Sequence, residues 1–237
     1  MAAKAPMDPV ADLRKRLARR PRAVPGTIDA WWAEHGLAAH PAAVGKRIAL
    51  ALIDQRATAA KLAGIAVLHD RLGDQLRATD LPMFERLFAT AALADDALVD
   101  AFGVQVLGTL LQRVRGRAEI CRALATWRNA DSPWQRRAAC AALTTLAPLG
   151  DAALPGLAQL IFAMCSAIVW SPDRIDQTAV GWLIRELSRG EPTRVEAFVR
   201  RHARLMSREC ARLAVEKLAN KHELLVHWKR ATSLRRT

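Results

Sequence analysis

A chain of 237 residues that is 51% hydrophobic and 25% charged carries enough apolar mass to bury a core, which excludes a disordered protein. Its 36 Lys and Arg against 23 Asp and Glu leave a net charge of +13. That excess points to a polyanionic partner, with nucleic acid ahead of an anionic membrane surface, although an Ala- and Arg-rich composition accounts for part of it.

No run approaches the roughly 18 apolar residues of a transmembrane span, so no membrane association is expected. The opening "MAAKAPMDPVADLRKRLARR" lacks the apolar core of a secretory signal, and Asp8 and Asp12 argue against a transit peptide. A cytoplasmic location, nucleoid-associated when bound to DNA, is therefore the expectation. Cys121, Cys140, Cys165 and Cys210 form no CxxC and sit in apolar helical patterns, as core thiols of a reducing compartment do. The six histidines show no ligand spacing: His222 and His227, five apart, fall on different helix faces. Neither a metal nor a cofactor is expected.

Apolar spacing is helical almost throughout, with no convincing alternation of period two. Pro and Gly divide the chain into helices near 8–20, 27–35, 40–54, 57–72, 81–90 and 95–114, then 117–127, 133–147, 152–168, 174–189, 192–203 and 207–219. A short helix near 221–230 precedes a basic tail, 229–237, expected to be disordered. Thr58, Asp80, Asp131 or Ser132 before Pro133, and Ser171 before Pro172 offer N-cap chemistry at several starts. In "TIDAWWAEHG" adjacent helix positions point about 100° apart, consistent with one of Trp31 and Trp32 buried and the other at a groove edge.

Four stretches share a layout of a polar residue, small residues and an apolar ridge: "KLAGIAVL" at 61, "DAFGVQVL" at 100, "RAACAALTTL" at 137 and "TAVGWLIREL" at 178. Their starts lie 39, 37 and 41 residues apart. A period near 40 with two helices per unit is the signature of HEAT-like repeats, which stack into a solenoid whose inner helices line a concave face. The expected fold is therefore an all-α, HEAT-like solenoid forming a single domain over 1–237, with a basic concave groove. Lys61, Asp100, Arg136 and Arg137, with Trp182 and Arg185 a turn into the fourth stretch, would project into that groove. "SPWQRRAACAAL" (132–143) poses the sharpest local question. Two arginines in a first helical turn oppose the helix dipole, so an anion is expected nearby.

The stretch "ATWRNADSPWQRRAACAAL" (125–143) resembles the Trp-spacer-Trp-x-Arg-Arg signature of AlkD-type DNA alkylation repair proteins. "TAVGWLIRELSRGEPTRVEAFVRRHARLMSRECARLAVEKL" (178–218) is similar to that family's Gly-Trp-x-x-Arg-Glu segment. "LVDAFGVQVLGTLL" (98–111) resembles its Asp-bearing repeat, and weaker similarity reaches back to about residue 45. The resemblance implies a HEAT-like solenoid that wraps double-stranded DNA. It also implies, for active members, monofunctional excision of cationic N3- and N7-alkylpurines without base flipping, unlike most glycosylases. Matched position by position, Asp100 would be the catalytic carboxylate, suited to stabilising an oxocarbenium-like sugar and orienting water. Arg137 would grip a phosphate and Trp182 would pack on the sugar, while Trp127 and Trp134 read as core.

Two positions depart from the family pattern. The residue four before Asp100 is Asp96 where the family has a Trp, and the residue four before Trp182 is Thr178 where it usually has a Lys. Asp96 removes an aromatic wall and adds a negative charge that would repel Asp100 or attract a cationic lesion. Three functions follow: an alkylpurine DNA glycosylase, a non-excising DNA-binding relative, and a HEAT-type scaffold for an acidic protein. The trio Asp100, Arg137 and Trp182 favours the first over the third, and Asp96 shifts weight to the second. A monomer is expected. The basic stretches 13–22 and 229–237 would add salt-dependent phosphate contacts, or else are a solvated face and a loose terminus.

Overall fold

The structure is a computed structural model that describes residues 8–19, 24–113 and 115–233, and every regular element among them is helical. By its internal contacts the chain divides into two compact units, Met1–Ala94 and Asp95–Thr237. Arg20–Arg22 of the first basic stretch and residues 234–237 of the tail lie outside the described residues.

The first unit contains α1 (Pro9–Arg19), α2 (Val24–Glu34), α3 (Ala42–Ile53), α4 (Thr58–Ala66) and α5 (Leu81–Ala89). A π-helical turn, Val67–Arg71, prolongs α4. Leu13, Leu52, Ile53, Leu68 and Phe84 are fully buried. Both Trp31 and Trp32 are buried too, which corrects the expectation of a groove-edge tryptophan. Because α2 packs against both α1 and α4, two faces of the helix are covered and side chains 100° apart can both be sheltered. The Trp31 indole N–H donates to the Pro9 carbonyl at 3.0 Å, so its polar edge is satisfied.

The second unit begins with α6 (Asp96–Ala101), which runs through a π-helical stretch, Phe102–Leu107, into α7 (Gly108–Gln112). It continues with α8 (Arg117–Thr126), α9 (Pro133–Leu143), α10 (Leu157–Ile168), α11 (Arg174–Leu187), α12 (Pro192–His202), α13 (Arg208–Val215) and α14 (Lys221–Ser233). Helix α9 packs between the α6–α7 helix and α11, and α11 packs between α9 and α13, so these four form one row. On the other side α8 meets α7 and α10, α10 meets α11, and α12 meets α11, α13 and α14. Helix pairs stacked in two layers are what repeats of about 40 residues build. The bonds between successive repeats repeat that period: Asp100 with Arg137, Arg137 with Thr178, Arg136 with Asp176 and Asp151 with Arg194 join residues 37, 41, 40 and 43 apart.

The shared small residues have a packing reason. A Cβ on Gly103 would lie 2.6 Å from the Ala141 Cβ and 2.8 Å from the Ala138 carbonyl oxygen. On Gly181 it would lie 2.9 Å from the Cys210 carbonyl oxygen. Glycine at these points lets neighbouring helices of the row touch backbone to backbone. The regular helix expected over 95–114 widens to the π form over Phe102–Leu107, beside the close approach at Gly103.

Other expectations need smaller corrections. Ser132 caps α9 only by backbone position, with no side-chain bond, although Pro133 does occupy the first turn. At α11 the cap is Asp173, not Ser171, and it accepts the Ile175 N–H at 2.8 Å. Trp127 is buried as expected, but Trp134 is only partly so. Helix α14 continues to Ser233 through much of the stretch expected to be a disordered tail. All four cysteines are free and buried. Burial pushes the Cys121 thiol up to about 11 and Cys210 up to about 12, and raises Cys140 and Cys165 as well, so none supplies a thiolate near neutral pH. Among the described residues no helix is long and apolar enough to cross a membrane.

Candidate active site

Helix periodicity gathers the site. Asp96 and Asp100 lie one turn apart on α6, whose start is fixed by the Asp95 carboxylate accepting the Ala97 and Leu98 N–H groups at 3.0 and 3.1 Å. Arg174, Thr178 and Trp182 follow at four-residue intervals on α11, with Arg185 three further on, so all share one face. Arg137 reaches in from α9, and Glu209 and Leu213 from α13. Together these nine side chains line a cleft of about 290 Å³.

At its floor Arg137 grips Asp100 with two parallel bonds, Nε to Oδ1 and Nη2 to Oδ2, both 2.7 Å. Its Nη1 donates to the Thr178 hydroxyl at 2.8 Å and stands 3.2 Å from Asp96 Oδ1. The Arg137 side chain is 9% exposed and that of Asp100 is 28% exposed. Burial alone would weaken the guanidinium's hold on its proton, but its bonds to Asp100 and the charges of Asp100 and Asp96 outweigh burial and raise it. The repulsion expected between Asp96 and Asp100 is thus met by a cation bonded to one and lying against the other. The contact of Arg137 with Asp96 is misaligned for a hydrogen bond, and Asp96 Oδ1 is buried with no donor. That oxygen therefore keeps a free acceptor site, while its charge is offset by the guanidinium groups of Arg137 and Arg174.

The rim is also made of ion pairs. Arg174 donates to both oxygens of Glu209, at 3.0 and 2.8 Å, and its Nη1 lies 3.5 Å from Asp96 Oδ2. Arg185 pairs with Glu186 at 2.9 Å and with Glu216 at 3.3 Å. Every arginine lining the cleft is therefore matched to a carboxylate, an arrangement more balanced than the basic groove the composition suggested. Trp182 is partly buried and presents the only aromatic surface among the lining residues.

The remaining expected residues stand elsewhere. Arg136, beside Arg137, does not line the cleft: its Nε and Nη2 hold the carboxylate of Asp176 at 2.8 and 2.6 Å. Its Nη1 donates to the carbonyls of Ala130 and Asp131, at 2.6 and 3.1 Å. Asp176 has no exposure at all. The anion that the double arginine calls for is, in both cases, a carboxylate of the protein itself. Lys61 lies in the first unit and spends its ammonium on the carbonyls of Ile53, at 3.1 Å, and Ala92.

Arg174 and Glu209 are the members of the cleft that sequence reasoning missed. Arg174 was legible in principle, since it stands eight residues before Trp182 and four before Thr178 on one helical face. Glu209 depends on how α13 docks against α11, which no local pattern announces. Among the described residues no cluster of three His, Cys, Asp or Glu side chains could hold a metal ion. A family model described as DNA alkylation repair enzyme matches residues 28–218, which include every residue of the cleft. No curated protein shows significant similarity to the chain.

Proposed function

The chain belongs to the DNA alkylation repair enzyme family, and on that premise we propose that it binds duplex DNA and excises cationic alkylpurines with Asp100 as the catalytic carboxylate. The observation that carries this reading is the Asp100–Arg137 clamp at the floor of a cleft that also holds Trp182. An ionised carboxylate has about four lone-pair sites, and Arg137 occupies two, so the others remain for a sugar or a water. A purine alkylated at N3 or N7 carries a positive charge, which makes its N-glycosidic bond weak. When that bond breaks, its electron pair stays on the base and neutralises it, and the deoxyribose is left as an oxocarbenium-like cation. Asp100 faces that developing charge, orients a water toward C1′ and accepts the water's proton, giving a free base and an abasic site.

The same geometry gives Arg137 a positioning part: it fixes the rotamer of Asp100, and its remaining donor capacity is small. The flat indole of Trp182 is suited to pack on deoxyribose. Asp96, with its donorless oxygen, is suited to attract a cationic base electrostatically where an aromatic wall would stack on it. Asp96, a carboxylate where the family pattern has an aromatic wall, favours one second reading, a relative that binds DNA without excising.

Release of 7-methylguanine from methylated duplex DNA, measured beside binding of the same duplex, tests both readings. Release that falls by 10² or more in Asp100→Asn, roughly the contribution of a positioned acid or base, supports the glycosylase. Binding with no release by the native protein supports the second reading, and absence of both sinks the DNA reading altogether.

A further inference from the structure

A cluster of unpaired positive charge lies on the other side of α13 from the Asp100 cleft. Arg208, Arg212 and Lys221 line a cavity of about 690 Å³ between α13 and α14, more than twice the volume of the cleft. All three are exposed, and none of the three side chains takes part in an ion pair or hydrogen bond among the described residues. The cavity's two acids do not compensate them, because Glu209 is committed to Arg174 and Glu216 to Arg185. Three like charges around one hollow repel each other. Two of them, Arg208 and Lys221, also open helices, where the dipole disfavours a cation. Cations gathered round one hollow, with its acids already committed, form a ready seat for an anion from outside.

Resting on the DNA reading above, we propose that the Arg208–Arg212–Lys221 cavity is a phosphodiester-binding site that seats the DNA backbone beside the Asp100 cleft. The two hollows share Glu209 and Leu213, which places them on either flank of a single helix. An α-helix with its side chains is about 10–12 Å across. One strand of B-DNA carries a phosphate per roughly 3.4 Å of axis, so that distance corresponds to about three nucleotides. A duplex with its target sugar at Asp100 thus lays the backbone of a neighbouring nucleotide on the cradle. Arg208 and Arg212, one turn apart on α13, straddle it, and Lys221 closes the far side. In this division of labour the cleft, where charges are balanced, selects and reacts, while the cradle supplies affinity that is independent of sequence and sensitive to salt.

The test is the salt dependence of binding by the full chain to an unmodified duplex, followed by fluorescence anisotropy. Each phosphate neutralised contributes about −0.9 to the slope of log K against log salt. The double variant Arg208→Gln/Arg212→Gln is expected to flatten the slope by about 0.9, the contribution of the phosphate they straddle, and to weaken binding, with Arg212→Lys keeping the native slope. A control of equal charge, Arg122→Gln/Arg201→Gln, on exposed positions outside both hollows, is expected to leave the slope unchanged. Single-turnover excision should keep its saturating rate in the cradle variant while half-saturation moves to higher enzyme concentration. A native slope in the cradle variant, or an equal loss in the control, overturns the cradle and leaves the DNA reading standing. A native protein that does not bind duplex DNA overturns both.

Discussion

Arg136→Gln separates a structural arginine from a DNA-contacting one. In the native protein the guanidinium offers two parallel bonds to a carboxylate that is wholly inside, and the Arg136 side chain is itself 17% exposed. Removing the cation leaves Asp176 buried without its charge partner, a loss of about 3–5 kcal/mol for pairs of this kind. The partial exposure of Arg136 argues for the lower end, about 3 kcal/mol. For a chain of this size that corresponds to a fall in Tm of roughly 6–12 °C, at about 2–4 °C per kcal/mol. Thermal unfolding followed by circular dichroism reads it, with duplex affinity of the folded variant measured in parallel. An apolar replacement of both partners, Arg136→Met with Asp176→Leu, is expected to recover most of the loss, because it leaves no buried charge behind. Native melting in Arg136→Gln, accompanied by weaker DNA binding, would refute this account and return Arg136 to the DNA-contacting role that its sequence position suggests.

Three further outcomes follow from the same geometry. Arg137→Lys keeps the charge but loses the fork that holds both Asp100 oxygens, so excision is expected to drop by about 10²-fold through misplacement, with duplex affinity little changed; equal loss in both would make Arg137 a phosphate ligand. Gly103→Ala forces a methyl against Ala141 and the α9 backbone, and urea unfolding should show a loss of about 1–3 kcal/mol, whereas a neutral result would mean that the rows can slide apart freely. Burial holds the His202 imidazole below its ordinary value of 6.5, even though its Nδ1 lies 3.0 Å from the Phe198 carbonyl. From pH 6.5 downward the unfolded chain takes up this proton and the native one does not, so His202 costs nothing above 6.5 and destabilises progressively below it. The slope is at most about 1.4 kcal/mol per pH unit, and His202→Gln should flatten it in urea titrations between pH 5 and 7.

Much of this molecule is determined by short-range pattern. Apolar residues at helical spacing, prolines at first turns and the 39-, 37- and 41-residue offsets set the helices and their repeat, because amphipathicity and chain punctuation act within one or two turns. The spacing of Asp96 with Asp100, and of Thr178 with Trp182, likewise sets which side chains share a face. The tertiary structure alone decided which neighbours those faces meet. It gave two adjacent arginines of α9 different carboxylates, one buried Asp176 of α11 and the other Asp100 of α6, although sequence sets them side by side. It covered α2 on two sides and so buried both tryptophans of the Trp31–Trp32 pair. It also balanced the cleft with Glu209 from α13 and gathered three unpaired cations on that helix's far flank. Net charge is a sum over the chain, whereas pairing depends on distances of a few ångströms across helices some 40 residues apart, and those distances exist only once the repeats have stacked.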